Sequence, residues 1–205
     1  MLHNINGRRL PWGLLVAVAA LSLVLDAQGP AASREDAVRL RAKVDAITRN
    51  AALPTASPLS TRLTEREVNA YFAFDGRDAI PRGVADPHVT IVGSGRLEGT
   101  AVVDLDAVRD QRKSRGWLDP LNYLGGRVPV AVSGTLDAAG GYARFDLESA
   151  RLGGVPIPKM VVQELVSFYS RTADNPRGLN IDDPYPLPAR IRQIDVRRGE
   201  AVVVQ

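Results

Sequence analysis

The sequence contains no cysteine. That excludes a disulfide framework, a thiolate metal site and a lipid-modified cysteine behind a signal segment. Histidine is almost as scarce: His3 and His88 are the only two, and His3 lies in the apolar N-terminal region. No histidine pair is therefore left to build a metal site or an acid–base relay in the body of the chain. A G-x-S-x-G stretch is missing, which argues against a serine hydrolase with that nucleophile elbow. The close glycines of GSGRLEG, residues 93–99, join two strand-like stretches instead of opening a helix, so they imply no phosphate cradle. Asp104 with Asp106, and Asp182 with Asp183, are carboxylate pairs of the kind used in glycoside hydrolysis or calcium binding, but neither has the supporting pattern. They read as solvated strand-face and turn aspartates, and His88 as a strand-edge residue. The expectation is a chain that is not an enzyme and takes no cofactor or metal.

Charge of one sign is also lacking. The chain has 26 basic and 23 acidic residues, a net +3, and setting aside Arg8, Arg9 and Asp26 leaves +2 beyond residue 31. The excess is local: residues 107–116 hold Arg109, Arg112, Lys113 and Arg115 against Asp110. A patch of this size accounts for the basic isoelectric point of about 9.5 without implying a nucleic-acid partner.

A body of ordinary hydrophobic content, 45% over 205 residues, can bury one good core, so residues 32–205 read as a single domain. In front of it stands MLHNINGRRLPWGLLVAVAALSLVLDAQGPAAS, with Arg8 and Arg9 preceding an uncharged apolar run from Leu10 to Leu25. Residues 1–31 are an export segment: either a signal peptide cut near Gly29-Pro30-Ala31, or an uncleaved anchor. Export places the domain in the periplasm or another extracytoplasmic space. An uncleaved segment would hold it to the inner membrane by residues 10–25.

Ser33 with Asp36 opens a predicted helix over 34–51, in which Ala37, Leu40, Val44, Ile47 and Ala51 recur at helical spacing. Two prolines in LPTASPLST end it. Thr64 and Glu67 form a capping box for a second helix over 64–74, with Leu63 and Val68 placed for a hydrophobic staple and Val68, Tyr71, Phe72 and Phe74 as its apolar side. From about residue 88 the period becomes two. Predicted strands are 88–92; 97–105, with Leu97, Ala101, Val103 and Leu105 on one face; 128–136, with Val128, Val130 and Val132; and 142–148, with Ala143, Phe145 and Leu147. DAAGG reads as the turn between the last two. An antiparallel meander with one dry and one polar face follows. Pro158 begins a helix to about Tyr169 with Met160, Val161, Leu165 and Phe168 apolar; 171–188 reads as mostly irregular, and RIRQIDVRRGEAVVVQ as a hairpin turning at Arg198-Gly199.

Three stretches, LTEREVNAYFAF, GGVPIPKMVVQELV and LPARIRQIDVRRGEAVVVQ, together resemble small exported bacterial domains of the tubular lipid-binding type, including bacterial lipoproteins and membrane-anchored relatives. In those families an early helix with a Thr-x-x-Glu start and an Asn, here Asn69, precedes a long sheet wrapping a helix. The chain then ends in a pattern matched by Leu187, Pro188, Ile194, Val196, Gly199 and Val202. The resemblance implies a lipid-handling fold and carries over no catalytic residue. The missing anchor cysteine and the segment 107–126 depart from the pattern.

The resulting expectation is an α+β domain, with a long curved antiparallel β-sheet wrapped around or packed on one or two helices and an N-terminal hydrophobic helix. It would bind or shuttle a lipid or other apolar small molecule on Val103, Leu105, Val130, Val132, Phe145, Leu147, Val161, Leu165 and Phe168. Between two strands, Arg109, Arg112, Lys113 and Arg115 would meet a membrane surface, with Trp117, Leu118, Leu121 and Leu124 dipping into it. A closed core that makes the chain a structural or interaction module, with an envelope protein partner docking on 107–126, stands as the alternative. For that segment itself, the alternative to a membrane surface is that its apolar groups cap one end of the domain's own core and its cations are solvated.

Overall fold

The computed structural model describes residues 32–55, 57–76, 80–107, 125–171 and 175–205, with Phe168 by its backbone alone. The N-terminal apolar segment and residues 108–124 lie outside these. Among the described residues no helix is long and apolar enough to cross a membrane.

Both expected capping boxes form. Ser33 accepts from the Asp36 amide, and the Asp36 side chain returns to the Ser33 amide, at the start of helix α1 (Arg34–Ala52). Ala37, Leu40 and Ile47 are buried, as their spacing requires. Thr64 and Glu67 repeat the arrangement at helix α2 (Glu65–Phe74). Leu63 and Val68 flank this start, Leu63 packed against one core cluster and Val68 against another. Just before α2, strand β1 (Ser60–Thr64) was hidden in the sequence, because its only large apolar residue is Leu63 and its last residue is also the helix cap.

The meander is present and longer than its alternation suggested: β2 (Val84–Gly93), β3 (Arg96–Asp104), β4 (Arg127–Ala139) and β5 (Tyr142–Leu152). The expected DAAGG turn shrinks to Gly140-Gly141, with Asp137 to Ala139 inside β4. The stub β6 (Val155–Pro156) pairs with one end of β5 and β7 (Tyr185–Pro186) with the other, which makes a six-stranded antiparallel sheet. A register shift opposite Ser133 and Gly134 inserts Glu148 as an extra residue, so the dry positions of β5 change from Phe145 and Leu147 to Ala150 and Leu152. Gly134 stands opposite Leu147, and a Cβ there would overlap the Phe145 ring. The ring thus fills the space that a side chain would need.

The final hairpin, β8 (Gln193–Arg197) and β9 (Glu200–Val204), does not extend the meander. It joins β1 in a separate three-stranded sheet of order β1-β9-β8. The chain is therefore α+β with a large antiparallel sheet, and a second, smaller sheet faces part of it.

Two apolar clusters fill the space between the sheets. One gathers Ile47, Ala138, Ala143, Leu187, Ile191 and Val203. The other gathers Phe72, Val89, Ile91 and Val196, with Val68, Tyr71, Leu97, Leu136 and Ile194 packed against it. Helix α3 (Lys159–Tyr169) leaves from β6 at the opposite end of the large sheet. The Tyr169 hydroxyl donates to the Arg82 carbonyl at 3.2 Å, beside the start of β2, so α3 runs across from the β5 edge to the β2 edge.

Candidate functional site

Cross-strand register places the expected apolar positions on one face. Val103 opposes Val128, Val130 lies between Ala101 and Leu152, and Val132 lies between Gly99 and Ala150. Farther along the same face, Leu147 opposes Gly134 and Phe145 opposes Leu136. Phe145 and Leu105 are buried, whereas Val103, Val130, Val132 and Leu147 are half-buried. On α3, Val161 and Leu165 are also half-buried. Met160, assigned to the apolar side of this helix, is 72% exposed, and the buried position is Val162 instead. Pro158 is the N-cap of this helix, and Met160 sits in its first turn.

The expected membrane-interface residues Arg109, Arg112, Lys113, Arg115, Trp117, Leu118, Leu121 and Leu124 lie outside the described residues. The carboxylate pairs lie inside. β3 ends at Asp104, so Asp104 and Asp106 do not share a strand face. Asp104 accepts from the amides of Asp106 and Ala107, while Asp106 accepts from Gly126 at 2.9 Å. Asp182 pairs with Lys159, and Asp183 accepts from Asn180. His88 is exposed. Among the described residues no group of three acidic or histidine side chains could hold a metal ion.

Three polar constructions escaped the sequence reading. In the first, α2 closes the edge of β2. The Asn69 amide donates to the Val89 carbonyl at 2.8 Å and accepts from the Val89 amide at 2.7 Å, while Glu65 accepts from the Ile91 amide at 2.6 Å. Side chains four residues apart on one helix thus replace a neighbouring strand. The only sequence signal was the i, i+4 spacing of Glu65 and Asn69.

The second is an ion-pair network between α1 and α2. Asp36 and Glu67, 2% and 5% exposed, are both capping-box acids. Asp36 contacts Arg39, and Arg66 at 3.1 Å; Glu67 binds Lys43 at 2.7 Å. The Ser33 hydroxyl, opposed by burial and aided by Arg39, holds the Asp36 carboxyl down at about 2. Burial pushes the Glu67 carboxyl up, but Lys43 and the Thr64 hydrogen bonds outweigh it and leave the group below its ordinary value. Acids so fully engaged act as fasteners between helices.

The third holds the return from α3. Gln163 donates to Ser167 and to the Leu179 carbonyl and accepts from the Ile181 amide at 2.7 Å, while Ser170 accepts from the Leu179 amide at 2.6 Å. Beside this clamp is a cleft of about 630 Å³, lined among others by Gln163, Ser167, Asn180, Asp183 and Tyr185. Burial pushes the Tyr185 phenol up to about 12, so it stays neutral. A second cleft, of about 440 Å³, is lined among others by Leu187, Arg190, Arg192 and Gln205. Neither is lined by the strand residues expected to hold a ligand.

No model of a known family matches this chain, and no curated protein matches it.

Proposed function

We propose that the chain is an exported domain, tethered to a membrane by residues 10–25, that binds or shuttles a lipid or another apolar ligand in the cell envelope. One observation carries the reading. Val103, Val128, Val130, Val132 and Leu152 are as apolar as the sealed part of the same face, yet all five remain half-buried at the end of the sheet that α3 crosses. A half-covered apolar wall beside a short helix is a suitable surface for an acyl chain. Val161 and Leu165 supply apolar side chains from the helix. Binding of this kind needs no catalytic residue.

The test is organic extraction and native mass spectrometry of the purified full chain. The reading expects a lipid mass that extraction removes, and its loss from Val130→Trp, in which the larger ring occupies the wall, with circular dichroism unchanged. A chain that carries no lipid from several sources, and whose Val130→Trp variant is destabilised by overpacking, would instead be an interaction module with a closed core.

A further inference from the structure

The end of the large sheet near residues 104 and 127 has a surface that the core does not require. Val155 is 65% and Met160 is 72% exposed, the two most exposed large apolar side chains among the described residues. Pro156 and Pro158 between them are exposed as well. This tip is held firmly: the Gly153 amide donates to the Pro129 carbonyl at 2.7 Å, and the Ile157 amide donates to Ala150 at 3.0 Å.

The outer face of the sheet, opposite the dry one, differs between its two ends. Away from the tip it carries Glu98, Asp137, Asp146 and Glu148 with Arg96 and Arg144, so acid outnumbers base, and both arginines are paired. Toward the tip it carries Val102, Pro129, Ala131 and Pro156 with Arg127 and Arg151, and a single acid, Asp104, opposite Arg127 and engaged by the amides of Asp106 and Ala107. Both of these arginines are exposed, and neither makes an ion pair among the described residues. Exposed apolar side chains beside two exposed cations that outnumber the one half-buried acid there, with the four acids of the other end turned away, match an anionic lipid headgroup layer in both polarity and charge.

The tether is short as well. Only residues 26–32 separate the apolar run 10–25 from Ser33, a span of at most about 25 Å when extended. We infer that the tip formed by Val155 and Met160, flanked by Arg127 and Arg151, docks on the anionic surface of the bilayer to which the chain is tethered. The inference rests on the tether of the proposed function and adds the orientation of the domain against that bilayer.

The lack of native cysteine permits one label per molecule. Full-length Val155→Cys and Met160→Cys, each carrying an environment-sensitive fluorophore, are reconstituted into vesicles of phosphatidylcholine with phosphatidylglycerol; Asp137→Cys, at the acidic end, is the control. Docking expects blue-shifted emission and several-fold stronger quenching by nitroxide lipids at positions 155 and 160 than at 137. The difference should shrink in phosphatidylcholine alone, in high salt and in an Arg127→Gln/Arg151→Gln background. Vesicles that float with the chain while all three labels report water overturn the docking and leave the tether standing. A chain that does not float overturns both. Shielding at 155 and 160 that needs an added envelope protein, and is absent in vesicles alone, overturns the lipid surface in favour of a protein partner.

Discussion

Val89 and Ile91 on β2 and Val130 and Val132 on β4 are the same kinds of residue on the same face of one sheet, yet the first pair is buried and the second is half-buried. Their own strands do not make the difference. Val89 and Ile91 lie under Phe72 of α2 and Val196 of β8. A second sheet and two helices seal that half, whereas among the described residues it is the short helix α3 that crosses the other. Alternation in a strand states which face is apolar; what covers that face is decided by elements far away in sequence.

The largest test of this contrast truncates one side chain in each half. Ile47, 1% exposed, has neighbours on all sides, so Ile47→Ala should cost roughly 2–5 kcal/mol in urea unfolding. Val132→Ala, in the half-covered part, should cost only about 1 kcal/mol. Equal costs would mean that both halves are equally closed.

Next comes the sealed edge of β2. Asn69→Ala orphans the amide and carbonyl of Val89 and should cost about 2 kcal/mol. Hydrogen exchange at Val89 should accelerate by more than global unfolding explains, because the edge opens locally. Unchanged exchange there would show that water or a neighbour replaces the Asn69 amide at no cost. Smaller still, Thr64→Ala removes the cap of α2 and should cost about 1 kcal/mol, lowering the melting temperature while leaving any bound lipid in place. Lipid loss without a thermal shift would reassign Thr64 from the sealed half to the ligand.

At neutral pH the network between α1 and α2 should show no pH dependence. Asp36 lies at about 2, against an ordinary value of 3.8, and Glu67 is also lowered. A depressed folded-state value favours the folded chain above the unfolded value, and the contribution is lost as pH falls toward the folded one. Melting temperature should therefore hold steady down to about pH 5 and drop between there and about pH 2. Asp36→Asn and Glu67→Gln should each flatten that drop. A drop of the same size in the double variant would assign acid sensitivity to other carboxylates.

The local signals in the sequence were reliable where the physics is local. Both capping boxes, the helices they begin, the turns at Ser94 and Arg198-Gly199 and most of the meander follow from side chains within a few residues of one another. What stayed hidden depends on distant partners. β1 is a strand because β9 pairs with it, Glu148 is a bulge because β4 requires it, and Asn69 matters because β2 lies beside α2. The candidate site was legible to the same extent: register confirms the shared face of Val103, Val130 and Val132, while their degree of cover could not be read from alternation.

β9 pairs residue 60 with residue 204 and is the middle strand of the small sheet. Gln205 follows it, donating to the carbonyls of Ile47 and Ala189 and accepting from Asn50. The latest part of the described chain thus joins some of the earliest. Such closure is entropically slow, and it leaves the lid over half of the large sheet unfinished until β9 is available to pair. α1, α2 and the meander can each form earlier, but nothing before residue 200 can join β1 to β8. The order of synthesis therefore places an apolar, half-assembled chain before the closed one, and removal of the β9 residues should be more damaging to yield than many single substitutions in the core.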